Sequence, residues 1–323
     1  MAAGPPFDRR PRRSEADMRK PLLCFCLSAL LLLTGLARQA LVRAFTPPAP
    51  PAAPERIVSL APSVTESLYA LGLGPKVAGV TQFCRYPPEA AAKPHVGGFG
   101  DVNLEAVLRL RPDLAVLPVD KTTIKALLEQ LGIPVLLLDT RSLSGLLRAI
   151  ADLGAATGQE AKAEAILGRF DEALKTARAK AAGKRRPRVL FAVMHSYQGL
   201  GAIMEINIIG RDGFYNELIE AAGGENVYKG KLAFPRLSRE AIIFLDPDVI
   251  IDVMPKDVDI DMEGVLRAWH SLEHVQAIRQ NRCFLLTDRG DTVPGPRSVL
   301  TLEKLSRILH PGPAERNMAR IVP

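Results

Sequence analysis

From residue 55 onward, short apolar runs alternate with stretches of helical spacing. Arg56-Ile57-Val58-Ser59-Leu60 and Val77-Ala78-Gly79-Val80 read as buried strands, as do Leu114-Ala115-Val116-Leu117 and Val135-Leu136-Leu137-Leu138. Helices are predicted from Pro62-Ser63 through Leu71, from Leu104 to Leu110, and over about 121–131. Ser63 is the expected N-cap of the first, with Glu66 three residues on in a capping-box pattern. Gly72 and Gly74 stop that helix. Alternation of this kind predicts an α/β fold, with parallel sheet covered by helices on both faces.

Residues 159–182 break the rhythm. Ala163, Ile166, Phe170, Ala173 or Leu174, and Ala177 recur at three- and four-residue spacing in a stretch without proline. A helix of that length spans roughly 36 Å, enough to cross a whole domain. Gly183 and Pro187 end it. Strands then resume at 188–193, 249–253 and 283–286. Helices are predicted to close over 216–222 and to occupy 239–245, the region near 262–280, and about 297–309.

The two halves echo each other. Asn103-Leu104-Glu105 through Arg111-Pro112-Asp113 resembles Ser238-Arg239-Glu240 through Asp246-Pro247-Asp248, 135 residues later. Each is an acid-bearing helix, then Pro-Asp, then an apolar strand. Two similar lobes joined by one helix leave a cleft, where ligands commonly bind. The expected organisation is a leader at 1–44, a Pro-rich linker at 45–54, and an N-terminal lobe at 55–158. The joining helix at 159–184 and a C-terminal lobe at 185–323 complete it.

The start of the chain reads as an export signal. Met18-Arg19-Lys20 is a short basic region, Pro21 to Leu36 is apolar, and Val42-Arg43-Ala44 offers a small-residue cleavage site. The apolar stretch falls short of the roughly 20 residues that span a bilayer comfortably. An uncleaved segment that tethers the protein is the alternative, and either Met1 or Met18 serves as the start. The expected location is periplasmic or otherwise outside the cytoplasm.

Charge changes the picture less than it promises. The chain carries a net +7, but residues 1–44 hold eight Lys/Arg against three acids. Removing them leaves 34 basic and 32 acidic residues, a net of +2. Those bases are scattered apart from Lys184-Arg185-Arg186, so no nucleic-acid-binding face is expected. Cys24 and Cys26 fall in the leader; Cys84 and Cys283 remain, and a disulfide between them suits an oxidising compartment. There is no Gly-x-Gly-x-x-Gly after a strand, no Walker loop and no Gly-x-Ser-x-Gly elbow, so no enzyme is expected.

Five motifs in order carry a family resemblance. They are Arg56 through Glu66, Val80 through Ala90, Asn103-Leu104-Glu105 through Leu114, Ala222-Gly223-Gly224-Glu225-Asn226-Val227, and Leu237-Ser238-Arg239-Glu240. Around a long mid-chain helix, this resembles the periplasmic metal-chelate receptors with a helical backbone. That family includes vitamin B12, haem and ferric-siderophore binding proteins, and the match covers roughly 55–310. It implies two Rossmann-like lobes with central parallel sheets, joined by one long helix, and a ligand in the cleft between them. It implies a monomeric substrate-binding component of an ABC importer, without a cofactor of its own, that hands a metal chelate to the membrane permease. A cobalt corrinoid such as vitamin B12 is favoured, with ferric siderophore or haem as alternatives. A tethered ligand sensor and a metal-dependent enzyme are the readings from other classes.

The resemblance also nominates residues. Glu105 and Glu240 fall where the family presents one carboxylate per lobe to the importer. The alternative for both is an acid complementing a helix dipole. Phe83 and Phe99 match positions that place aromatics against a corrin, and the glycines of Gly97-Gly98-Phe99-Gly100 would let backbone approach a ligand. Ser63, Arg85, Tyr86, His195, Tyr197 and Arg289 join them as ligand-binding candidates. Cys84 belongs to the same set, and Cys84 and His195 are the candidate axial ligands, with no dedicated metal site expected. His95 could ligate a metal and Arg236 could pair with an anion, each with surface placement as the alternative. His270 and His274 share i, i+4 spacing but lack the neighbouring Glu of a zinc-protease helix, so a surface location is expected. Pro118 and Val293 stand where some B12 receptors carry aromatic or basic residues.

Overall fold

The computed structural model describes residues 54–193, 203, 205–211, 213–255, 261–313 and 321–322. All lie in one unit, Pro48–Pro323. The leader, His195 and Tyr197 lie outside the described residues.

The first lobe runs β1 (Ile57–Ser59), α1 (Pro62–Ala70), β2 (Val77–Val80), α2 (Pro88–Ala91) and α3 (Leu104–Arg109). It continues with β3 (Leu114–Pro118), α4 (Thr122–Gln130), β4 (Val135–Leu138) and α5 (Leu143–Thr157). Its four strands are parallel, in the order β2-β1-β3-β4. The long helix α6 (Glu160–Ala181) leads to β5 (Arg188–Val193), β6 (Glu205–Ile208), α7 (Phe214–Ala221), β7 (Glu225–Asn226) and β8 (Arg236–Ser238). Then come α8 (Arg239–Leu245), β9 (Val249–Val253), α9 (Met262–His270), α10 (Gln276–Arg279), β10 (Cys283–Leu286), α11 (Ser298–Leu309) and β11 (Ile321–Val322). The second sheet has the order β11-β10-β9-β5-β6-β8, with β7 beside β5. It is parallel except that β6 runs against both its neighbours.

The apolar pattern decides where each face goes. Val58, Leu60, Ala115 and Leu117 point to one face of the first sheet, under α3 and α4. Ile57, Leu114 and Val116 point to the other and join a core that continues across α6 into the second sheet through Val189, Phe191, Ile251 and Leu286. Helix α6 enters that core with Ala163, Phe170, Ala173 and Ala177, the stripe its spacing predicts. Its 22 residues give a length of about 33 Å. The outer face of the second sheet packs on Trp269, whose indole N–H donates to Asp252 at 2.7 Å.

Several expectations change. Ser63 is not an N-cap. Ala61 holds that position and Pro62 opens the helix, where its missing N–H costs nothing. Ser63 is therefore inside the first turn, and Glu66 is buried rather than folded back on a cap. Helix α5 has apolar spacing at Leu143, Leu146, Ile150 and Leu153, but Gly145 and Gly154 dilute its helical signal. Gly154 is needed by packing: a Cβ there would lie 2.6 Å from that of Ala163 on α6. The region near 262–280 is two helices. Chain direction changes at Ser271, which Arg239 grips through its hydroxyl and carbonyl at 2.9 and 2.6 Å. Asp246 then receives the Gln276 N–H at 2.6 Å, at the start of α10. Cys84 and Cys283 are both buried, in different cores, and are not bridged.

The internal echo is physical. Helix α3 is capped by Asn103, which accepts from the Ala106 N–H, and α8 by Ser238, which accepts from Ala241. Each helix ends at a left-handed residue before the Pro-Asp pair, Arg111 at φ 46° and Asp246 at φ 41°. Asp113 then accepts the backbone N–H of Arg56 at 3.0 Å, and Asp248 that of Arg188 at 2.7 Å. In return the Arg56 guanidinium donates to the Leu110 carbonyl, and that of Arg188 to Leu245 and Asp246. Each acid-bearing helix is thus tied at its C-terminus to the first strand of its own sheet.

Candidate functional site

Strands of both sheets end on a cleft of about 760 Å³. Open parallel sheets place binding sites at such carboxyl ends. The N-terminal lobe supplies the first turn of α1 at Ser63, the loop after β3 at Pro118–Asp120, and the loop after β4 at Asp139–Ser142. The C-terminal lobe supplies Phe214, Tyr215, Phe234 and Thr292–Pro294. A hollow of similar size, about 790 Å³, lies between α6 and α11, but charged side chains of both signs line it and no aromatic does. The cleft is the better ligand site on chemistry, because it combines aromatic faces with a few polar groups.

Two exposed rings enter the cleft from opposite lobes. Phe99 is 43% exposed and Phe234 is 55% exposed. Lys121 places its ammonium 3.6 Å from the Phe99 ring centroid, a cation–π contact that steadies the ring. Phe99 stands on a tight turn that Gly97 requires. Gly97 has φ 102°, and a Cβ there would lie 2.4 Å from the Asp101 carbonyl oxygen. At the rim, Arg141 and Asp139 pair side chain to side chain at 2.7 Å. That guanidinium, opposed by partial burial, holds the Asp139 carboxyl down at about 2.

Two carboxylates tie the lobes together beside the cleft. Glu217 on α7 accepts the Leu143 N–H at the start of α5 at 2.7 Å. Glu66 on α1 takes both arms of the Arg297 guanidinium, at 2.9 and 2.7 Å, with its side chain only 4% exposed. Arg297 also bonds Asp288 and covers the Tyr86 ring at 3.7 Å. Burial holds the Glu66 carboxyl above the usual carboxylate range despite the guanidinium against it. In the cleft wall, burial also pushes the Tyr215 phenol up, near Asp291 and Glu66.

The nominated residues divide. Ser63 and Phe99 line the cleft. Phe83 and Arg85 are exposed on the loop after β2, outside the lining. Tyr86 lies under Arg297 in a separate hollow of about 460 Å³, so its ring face is already occupied. Cys84 is 1% exposed in the core, and its thiol bonds the Thr81 hydroxyl at 3.1 Å. Burial pushes that thiol up, which removes it as an axial ligand reaching into the cleft. Arg289 is half-buried, three residues before the Thr292–Pro294 wall and outside the lining. His95 is exposed in a bridge to Val80, and Arg236 pairs with Glu205. His270 ends α9 and His274 lies beyond it, so helical i, i+4 geometry does not join them. Among the described residues no group of three or more His, Cys, Asp or Glu could hold a metal ion. Glu105 and Glu240 are exposed at the starts of α3 and α8. Pro118 and Val293 do line the cleft.

Sequence reasoning missed Phe234, Tyr215, Arg141 and Glu217. Phe234 lies in a loop without periodicity; only its rarity, as one of 11 phenylalanines, marks it.

Comparison with known proteins agrees with this geometry. The periplasmic binding protein family profile matches residues 57–289. An uncharacterized ABC transporter substrate-binding lipoprotein of Bacillus subtilis is 31% identical over 80% of this chain and 81% of its own. The crystal structure of the periplasmic vitamin B12 binding protein of Vibrio cholerae superposes with a TM-score of 0.66 at 26% identity, covering 80% of this chain and 98% of that one. The periplasmic heme-binding protein of Roseiflexus gives 0.65 at 26% identity, over 81% and 99%. Among the described residues no helix is long and apolar enough to cross a membrane. With two sheets, one long helix between them and a cleft at their strand ends, the chain belongs to the periplasmic binding protein family.

Proposed function

We propose that this protein captures a metal chelate outside the cytoplasm and delivers it to an ABC importer, with a corrinoid as the favoured ligand. Phe99 and Phe234, exposed rings that line the cleft from the two lobes, carry the reading. Two rings set across an open cleft suit the faces of a flat macrocycle. Similarity to a vitamin B12 binding protein supports the same choice. Delivery rests on Glu105 and Glu240, exposed at repeat-related positions of clamped helices, where basic pockets of a permease would receive them. The protein acts as a monomer and without catalysis.

Thermal denaturation of the chain with cobalamin, cobinamide, haemin and ferric siderophores tests the ligand. A ligand at 100 times its dissociation constant should stabilise the fold by about 2.7 kcal/mol. Corrinoids are expected to give the largest shift, and Phe99→Ala with Phe234→Ala to reduce it. A shift with haemin alone would replace the corrinoid with haem. No shift with any of the four would overturn the chelate class.

A further inference from the structure

The two acid-bearing helices differ at one exposed position. The 135-residue offset pairs Glu105 with Glu240, Leu108 with Ile243, and Arg109 with Phe244. Leu108 and Ile243, each three residues after its acid, are both exposed. At the next position the lobes part. Arg109 pairs with Glu105 at 2.7 Å. Phe244 stands in the equivalent place, 88% exposed, the most exposed large apolar side chain among the described residues. Four residues after Glu240, it shares that acid's helix face. Glu240 remains anionic, since its own backbone N–H and then the Ser238 hydroxyl hold its carboxyl below the usual range. Its neighbour Arg239 is turned inward onto Ser271.

We propose that Phe244 is an aromatic anchor for the importer's membrane subunit, making the C-terminal lobe the dominant docking contact. This rests on the docking role given above to Glu105 and Glu240. An aromatic ring beside an acid whose neighbouring arginine is turned away fits a receiving surface that is basic with an apolar slot. Large aromatics surrounded by polar rim are the usual energetic centres of interfaces. The clamps from Asp248 and Arg188 hold α8 to its sheet, so the ring is presented on a rigid element and little ordering entropy is lost on docking.

The test uses the full chain in cells that also make its importer. A photoreactive phenylalanine analogue is placed at 244, with exposed Leu131 on the other lobe as control. Separately, binding of Phe244→Ala, Arg109→Ala, Glu105→Lys and Glu240→Lys variants to the purified importer complex is measured. The expected results are crosslinks from 244, not 131, to a membrane subunit, and binding weakened roughly tenfold or more by Phe244→Ala. Arg109→Ala should weaken binding little or tighten it. If the Glu variants lose binding while Phe244→Ala keeps it, the anchor is wrong and the docking reading stands. If the Glu variants also bind normally, both fall. Crosslinking of 244 to a second copy of this chain would likewise overturn the anchor.

Discussion

Asp139 shows how one side chain at the cleft couples structure to pH. Arg141 donates to it from Nε and a terminal nitrogen and from the backbone N–H. These bonds hold its folded-state value at about 2, below the ordinary carboxylate value of about 3.9. The contribution to stability is therefore present above the unfolded value and is lost as pH falls towards about 2. The pair is partly solvated, with side chains 42% and 71% exposed, so the effect is modest. Urea unfolding across pH 5 to 2, roughly the window of that titration, should show a shallower acid decline in Asp139→Asn than in the parent. Equal slopes would show that the pair does not persist in solution. Cys84 makes the opposite case: a residue nominated as an axial metal ligand is a core thiol, and nothing in a single sequence distinguishes the two roles.

At the scale of elements, Arg297 fastens α11 of the C-terminal lobe to α1 of the N-terminal lobe. A buried ion pair adds little net stability, but removing one partner strands the other at a cost of about 3–5 kcal/mol. Arg297→Met should therefore destabilise the protein by about that amount, because Glu66 has almost no solvent. Adding Glu66→Gln should recover much of the loss, measured by denaturant midpoints in a double-mutant cycle. A loss no larger than the usual surface-pair value of about 1 kcal/mol would show that water reaches Glu66. This tie was not legible in the sequence, because it joins positions 231 residues apart. Local pattern did reveal what local forces decide. Strands 135–138 and 283–286, helix 239–245 and the buried stripe of α6 follow from apolar spacing alone. It failed where tertiary contacts outvote it. Helix α5 is built around a glycine that packing requires, and Ser271 breaks a helix because Arg239 holds it from another element. The cleft was half legible: Ser63 and Phe99 come from motifs, whereas Phe234 comes from a loop that only the fold brings to the same cleft.

For the whole molecule, the decisive property is the pairing of a rigid frame with an open cleft. Helix α6 is buried along one stripe against both lobes, and the Glu66 and Glu217 ties flank the opening. Under the proposed function, such a frame would recognise a ligand by shape already present and show an importer one surface before and after capture. The proposed docking acids lie on α3 and α8, each tied to its sheet by the same Asp and Arg pair. From residue 54 onward the only thiols are Cys84 and Cys283, one in the core shared by both lobes and one in the core outside the second sheet. Each can be alkylated only when its own core opens, so the two form a pair of independent clocks. Trapping with an alkylating reagent and timing each adduct by peptide mass would read the opening rate of the two cores in one sample. A bound chelate held between the lobes should slow the Cys84 clock more than the Cys283 clock.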